Sequence, residues 1–192
     1  MILYLHGFGS SGNAFKARLL RRFFPDVSIA SPDLPIEPDR AIQSITQFIR
    51  ENASGKILLI GSSLGGFYAQ HLSHEHRISA ILLNPAVYPW QNLNDRIGDN
   101  VRADNTSQHF EWMEKYLKQL HALYRKPADY QKDLLHVYLN KDDEVLDFRE
   151  AENEFRSIGC AIQISAEGGH VFTNFAKIRQ QIATIYHQLL FQ

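Results

Sequence analysis

The sequence predicts an α/β fold in which a mostly parallel sheet of about six strands carries helices on both faces. Short apolar runs alternate along the chain with segments in which apolar residues recur every three or four positions. These are the patterns of buried strands and of amphipathic helices. Several runs are apolar throughout, as strands are when helices cover both faces of a sheet. Strand alternating with helix is typical of a parallel sheet.

The predicted strands are short runs rich in Ile, Leu and Val, and residues typical of turns follow them. Runs of this length suit strands better than helices, which need about ten residues or more. We predict strands at Ile2–Leu5, Val27–Ala30, Lys56–Ile60, Ser79–Leu83, Leu134–Leu139 and Ala161–Ser165.

The predicted helices are marked by residues that begin or end helices. One segment has Pro38 near its start and Gly55 just past its end, where these residues are favoured. Another opens with Asp147 and Glu150 in capping-box spacing and stops before Gly159. The C-terminal segment repeats apolar residues along one helical stripe. The predicted helices are Asp39–Asn52, Asp147–Ser157 and a segment from about Asn174 to Leu190.

The connection over residues 85–133 is too long for a simple crossover between strands. It holds an acidic and amide-rich stretch, followed near Ser107–Tyr124 by apolar residues at helical spacing. We interpret 85–133 as a helical insertion that forms a lid or cap over a site. A stripe that simply packs on the main core is an equally good interpretation. We expect a single domain over residues 1–192.

Composition argues against several classes of function. Twenty basic and 21 acidic residues among 192 give a formal net charge of -1, so no overall field attracts nucleic acid or an anionic membrane. Arg18, Arg21 and Arg22 form at most a local patch, and a solvated helix face is the favoured interpretation. No apolar run approaches the roughly 20 residues that span a bilayer. The single cysteine, Cys160, interpreted as an apolar filler, predicts a reducing compartment, the cytoplasm.

The stretch Gly61-Ser62-Ser63-Leu64-Gly65 separates a predicted strand from a helical segment and fits the pattern GxSxG in one frame. Moving the frame back by one residue would require a glycine in place of Ile60, so Ser63 holds the central position. In a nucleophile elbow the turn strains the central residue, and glycines two positions away let the backbone pass. Ser63 is therefore the predicted nucleophile, with a plain Gly/Ser turn as the alternative.

A serine hydroxyl needs a neighbouring base that is itself oriented by an acid. His170 is the strongest of the nine histidines, because it follows Gly168-Gly169 after the last predicted strand. Open α/β sheets gather catalytic groups at the carboxyl ends of their strands. Seven others are expected to be structural or exposed: His71, His74, His76, His109, His121, His136 and His187.

The orienting acid is expected between serine and histidine in the chain, after the second-last strand. Four carboxylates lie in the stretch from 142 to 147. Asp147 is already explained as a helix cap. Asp142 and Asp143 remain, and local spacing alone favours Asp143 only slightly.

An oxyanion also needs hydrogen-bond donors. One expected donor is the backbone N–H of Leu64, directly after the nucleophile. The other is the backbone N–H of Phe8, in the glycine-rich loop that begins at His6 after the first strand. We expect His6 to support this loop. The loop matches neither GxxxxGK[ST] nor GxGxxG, which argues against a phosphate site.

Taken together, the motifs resemble those of the α/β-hydrolase superfamily, and more closely the small bacterial esterases of the YqiA/YcfP-like family. The family's HGF-type loop matches His6-Gly7-Phe8, and its GSSLGG matches residues 61–66. Its DEVL acid loop matches Asp143–Leu146, and its final GxH-type histidine matches His170. The resemblance implies Asp143 as the acid, because the family's acid stands immediately before Glu-Val.

The expected function is hydrolysis of carboxylic esters or thioesters of small acyl substrates by a Ser63–His170–Asp143 triad through an acyl-enzyme. No metal or organic cofactor is required. Two alternatives are an acyltransferase with the same triad and a non-catalytic binding protein on this fold. Four aromatic residues are candidates for an acyl pocket or for core: Phe8, Phe67, Tyr88 and Trp90.

Overall fold

The computed structural model describes residues 1–102 and 109–191. The strands of the described residues are β1 (Ile2–Leu5), β2 (Ile29–Ala30), β3 (Leu58–Ser62), β4 (Ala80–Leu83), β5 (Asn100–Arg102), β6 (His109–Glu111), β7 (Leu135–Asn140) and β8 (Ala161–Ser165). The main sheet has six strands, all parallel, in the order β2-β1-β3-β4-β7-β8. This confirms the predicted parallel sheet.

The strand order reverses beside β1. The chain passes from β1 outward to the edge strand β2 and then returns to the other side of β1 as β3. Leu5 at the end of β1 lies opposite Gly61 of β3. Crevices at such a reversal, outside the carboxyl ends of the strands, are where open α/β sheets bind ligands. The two glycine-rich motifs of the sequence therefore meet at this edge.

Two apolar layers cover the two faces of the sheet, because side chains alternate along each strand. The helices of the described residues are α1 (Phe15–Phe23), α2 (Pro38–Glu51), α3 (Leu64–His76), α4 (Pro89–Asn92), α5 (Glu114–Leu123), α6 (Phe148–Ile158) and α7 (Arg179–Leu190). Leu3 and Leu5 face the layer that includes α2, α3, α5 and α6, whereas Ile2 and Tyr4 face the layer of α1 and α7. Helices on both faces are thus confirmed.

Helix ends follow the predicted signals closely. Pro38 is the first residue of α2. The carboxylate of Asp147 accepts a hydrogen bond from the Arg149 N–H at 3.0 Å and so caps α6, while Gly159 ends that helix in a left-handed conformation with φ of 82°. A 3₁₀ turn over Phe175–Ile178 replaces the predicted first turn of α7. Cys160 packs against the core, and burial raises the pKa of its thiol to about 12.

The region 85–133 differs from the prediction at the start of its helix. The part near Ser107 lies outside the described residues, as does the stretch from 103 through Asn105. His109–Glu111 is a strand paired antiparallel with Asn100–Arg102, and the helix begins only at Glu114. The strand pairing supplies backbone hydrogen bonds and is followed by Trp112, which is fully buried. Leu117 and Leu120 of α5 are buried in the main core, as the core interpretation of the stripe predicts.

Candidate active site

Ser63 lies on a strained turn between β3 and α3. Its φ of 55° and ψ of -121° are rare for a residue other than glycine. Hydrogen bonds hold the turn: the Ser63 N–H donates to the Leu83 carbonyl at 3.1 Å. The Ser63 carbonyl accepts from the N–H groups of Gly66 at 2.9 Å and of Ala86 at 3.2 Å. The conformation is therefore imposed by β4 and α3 together.

The glycines of the motif are required by close backbone contacts. A Cβ on Gly65 would lie 2.1 Å from the Leu5 carbonyl oxygen, and a Cβ on Gly61 would lie 2.2 Å from the Gly65 oxygen. No side chain fits at such distances. The steric reason inferred from the sequence for both glycines is present in the structure.

The structure brings His170 and Asp143 together. Nδ1 of His170 lies 2.8 Å from Oδ2 and 3.0 Å from Oδ1 of Asp143. The Asp143 side chain is only 2% exposed, whereas that of His170 is 18% exposed. Two backbone N–H groups, of Val145 and Leu146, also donate to Asp143 Oδ1, each at 2.9 Å. A carboxylate held in this way fixes the orientation of the imidazole.

The neighbouring acids contact the backbone of the histidine loop rather than the ring. Asp142 accepts hydrogen bonds from the Gly169 N–H at 2.8 Å and from the Gly168 N–H at 3.0 Å. These two donors, that of Gly169 first, lower the pKa of Asp142. Glu144 accepts from the His170 N–H at 2.9 Å. The two candidates that the residues alone left open, Asp142 and Asp143, thus have different contacts.

Two buried asparagines hold the same loop from the sheet. Asn84 and Asn140, which follow β4 and end β7, both donate to the Gly169 carbonyl, at 2.9 and 3.0 Å. The Asn84 side chain also accepts from the Asn140 N–H at 2.8 Å. Sequence reasoning missed both residues. The available signal was an amide side chain directly at the carboxyl end of each of two apolar strands.

The loop after β1 lies against the serine turn. A Cβ placed on Gly7 would be 3.2 Å from Ser63 Cβ, so a side chain here would require the serine turn to shift by a few tenths of an ångström. His6 supports the loop as expected, because its Nδ1 is 2.8 Å from the Gly7 carbonyl and its Nε2 accepts from the Leu34 N–H at 3.0 Å. The loop that carries Phe8 therefore lies beside Ser63.

One cavity of about 670 Å³ unites the predicted site residues. Ser63, His170, Phe8 and Leu64 line it, while Asp143 lies behind His170. Leu64 is the first residue of α3, where backbone N–H groups lack partners within the helix. The Ser63 turn and the His170 imidazole, which Asp143 orients, therefore border one space.

Among the aromatic candidates for an acyl pocket, Phe8 lines this cavity. Phe67 is buried in the core, and Tyr88 and Trp90 pack against it as partly buried residues whose ring centroids are 5.6 Å apart. The described residues include no cluster of three or more side chains suited to hold a metal ion. No helix in the described ranges is long and apolar enough to cross a membrane.

The chain matches the model of a family described as "Uncharacterised protein family (UPF0227)" over residues 1–187. One curated relative is UPF0227 protein YcfP of Escherichia coli. It is 24% identical over 187 residues, which cover 95% of this chain and 96% of YcfP. The resemblance to YcfP-like proteins found in the motifs is confirmed over nearly the whole chain.

Solved structures with a similar fold include Est1E from Butyrivibrio proteoclasticus with bound ferulic acid. Its TM-score is 0.76 at 12% identity, covering 100% of this chain and 89% of that chain. Mouse alpha/beta hydrolase domain-containing protein 10 has a TM-score of 0.67 at 15% identity, covering 96% and 90%. These similarities establish the α/β-hydrolase fold.

Proposed function

The chain belongs to the UPF0227 family, and we propose that it is a serine hydrolase that cleaves carboxylic ester or thioester bonds of small acyl substrates. The observation that carries the proposal is the His170–Asp143 hydrogen bond of 2.8 Å at the cavity that Ser63 lines from a strained turn. The α/β-hydrolase fold supports it. So does Est1E, which binds ferulic acid, a carboxylic acid of the kind that ester hydrolysis releases.

In the first half-reaction, Ser63 Oγ attacks the acyl carbon while His170 Nε2 accepts the hydroxyl proton. The N–H groups of Phe8 and Leu64 stabilise the oxyanion of the tetrahedral intermediate, and each such donor is worth about 3 to 4 kcal/mol. The intermediate collapses with cleavage of the C–O or C–S bond. His170 gives its proton to the departing alcohol or thiol, which leaves the acyl group on Ser63.

In the second half-reaction, water attacks the acyl-enzyme and His170 accepts one of its protons. The second tetrahedral intermediate releases the carboxylic acid, and His170 returns the proton to Ser63. Asp143 stabilises the imidazolium and holds the tautomer in which Nδ1 carries hydrogen. Every step uses groups of this chain and water alone.

The region 85–133 contributes the outer wall of this site and is proposed as its cap within one domain over residues 1–192. Pro89 and Asn92 of α4, followed by Leu93 and Arg96, line the cavity. The proposed location is the cytoplasm, because the chain has a single cysteine and no disulfide.

A fluorophosphonate probe tests the proposal most directly, because it reacts with an activated serine. The probe should label the wild-type protein at Ser63, as mapped by peptide mass spectrometry, and should not label Ser63→Ala. Ser62→Ala is the matched control and should still be labelled, since Ser62 is the buried last residue of β3. Absence of labelling, or labelling at Ser62, would contradict the proposal.

Ester turnover completes the test. Hydrolysis of 4-nitrophenyl butyrate should disappear in Ser63→Ala. Product analysis with and without an added alcohol separates hydrolysis from acyl transfer, because a transferase would form the new ester in preference to the free acid.

A further inference from the structure

The cavity beside Ser63 has an uneven distribution of charge. Three cationic side chains line it, Lys16, Arg18 and Arg96, and none of the described lining residues is an aspartate or glutamate. The net charge of the whole chain is only -1, so this imbalance is a property of the cavity and not of the protein. Clefts lined by one sign of charge attract ligands of the opposite sign.

Lys16 is the most informative of the three cations because it is 8% exposed. Its Nζ donates to the carbonyl of Val171, the residue after His170, at 2.8 Å. No carboxylate of the described residues forms an ion pair with it. An ammonium group has three donors, so the Val171 carbonyl uses only one of them.

Retaining this buried ammonium costs the protein stability. Burial lowers the pKa of Lys16 to about 8. At pH 7 roughly nine tenths of the side chains are still protonated. A buried charge without a counter-ion is destabilising. A counter-charge supplied by a bound ligand would offset that cost.

The surroundings of Lys16 add positive potential. Arg18, two residues further along α1, donates to the Asn13 carbonyl at 2.6 Å and has no carboxylate partner among the described residues. The first turn of α1 contains no acidic residue. Arg96 contributes less, because Asp99 pairs with it.

We propose that the ester cleaved at Ser63 carries an anionic group, a carboxylate or a phosphate, which Lys16 binds with the help of Arg18. The inference rests on the proposed function and specifies its substrate class. An anion bound here replaces the missing counter-ion of Lys16. Because Lys16 contacts the backbone beside His170, the anion lies next to the reacting ester and selects among substrates.

The first arm of the test compares two esters with the same chain length and leaving group. Mono-4-nitrophenyl adipate has a terminal carboxylate that 4-nitrophenyl hexanoate lacks. The ratio of their kcat/KM values should favour the adipate by about tenfold or more in the wild type, since a tenfold ratio needs only about 1.4 kcal/mol. Lys16→Met should lower this ratio by about tenfold, and Arg18→Met by a smaller factor. Arg21→Met is the matched control on an exposed position of the same helix and should leave the ratio unchanged.

The second arm places the anion on the alcohol. Release of hexanoic acid is compared between 1-hexanoyl-glycerol 3-phosphate and 1-hexanoyl-glycerol. A preference for the anionic ester in one arm alone assigns the anion to the acyl part or to the alcohol part of the substrate. Such a preference supports the proposal if the Lys16→Met substitution removes it. If Lys16→Met does not fold, Arg18→Met and a loss of the wild-type preference in 0.5 M salt serve the same purpose, because salt screens the attraction.

The outcomes separate this inference from the proposed function. Hydrolysis of the neutral esters without any preference for the anionic ones would overturn the anion site and leave the hydrolase intact. A wild-type preference that persists in Lys16→Met would overturn the role of Lys16. If the wild-type protein hydrolyses none of the four esters, both proposals would be overturned.

Discussion

The serine turn and the histidine loop form two sides of one cavity, yet they are held in different ways. The turn at Ser63 depends on backbone sterics, because Gly61 lets β3 approach α3 and Gly65 lets α3 approach the end of β1 at places where a Cβ has no room. The loop at His170 is held by side chains from distant parts of the chain, among them Asn84 and Asp142. The glycines of the turn can be recognised in a short motif. The side chains that hold the loop come together only in the folded chain.

The largest expected effect comes from the acid on the histidine side. Asp143→Asn should lower kcat for 4-nitrophenyl butyrate by about 10³- to 10⁴-fold with little loss of structure, because the amide cannot hold the required imidazole tautomer. Asp142→Asn is the matched control and should lower kcat by less than about tenfold, since Asp142 contacts only the loop backbone. Equal losses in the two variants would show that the contacts do not distinguish the two acids.

Substitutions in the turn at Ser63 should act mainly by destabilising the folded protein. Gly65→Ala would place a Cβ 2.1 Å from the Leu5 carbonyl oxygen, so we expect the free energy of unfolding to fall by about 4 kcal/mol or more. Gly55→Ala, where the nearest atom is 3.8 Å away, should change it by less than about 1 kcal/mol. Urea denaturation measures both. A stable Gly65→Ala protein would refute the steric account of the turn.

Variants of the two asparagines test whether residues distant in the chain hold the His170 loop in place. Asn140→Ala removes a buried donor to the Gly169 carbonyl and should cost about 2 kcal/mol of stability. It should also lower kcat by about ten- to a hundredfold with KM nearly unchanged, because misplaced catalytic groups slow chemistry more than binding. Asn52→Ala, at the end of α2, is the control and should leave kcat unchanged. Asn84→Ala combined with Asn140→Ala should be non-additive, since both donate to one carbonyl.

The smallest expected effect is a pH-dependent difference in stability at Lys16. Its pKa is about 8 in the folded protein and 10.5 in the reference state, so between these values the unfolded chain binds more protons. The contribution of Lys16 to the free energy of unfolding therefore rises with pH over that range. Replacing it by methionine removes this contribution. The stability of Lys16→Met relative to wild type should accordingly fall by about 2 kcal/mol between pH 7 and pH 10.

Comparing two proteins at each pH cancels the contributions of other ionisable groups near the cavity, such as Tyr4 on β1, since they are common to both. Urea unfolding of both proteins gives the difference between their free energies of unfolding at pH 7 and at pH 10. A difference that does not depend on pH would mean that Lys16 is not desolvated in the folded protein.

Several elements were predictable because their signals are local. Buried parallel strands are short apolar runs, and helix ends are marked by residues such as Pro38, Asp147 and Gly159. The helix predicted near Ser107 was wrong at its start, because pairing of β6 with β5 and burial of Trp112 override apolar spacing. Such pairing depends on a partner segment and leaves no helix or strand period of its own in so short a stretch.

The sequence alone determined the parallel sheet, the frame that selects Ser63 over Ser62, and the position of His170 after the last strand, because each depends on neighbours within a few residues. Only the tertiary structure decided that Asp143 contacts the imidazole while Asp142 binds the loop backbone. It alone also brought Lys16 of α1 to the carbonyl of Val171. These contacts join residues up to 155 positions apart, and their geometry is set by the packing of strands and helices rather than by any local pattern.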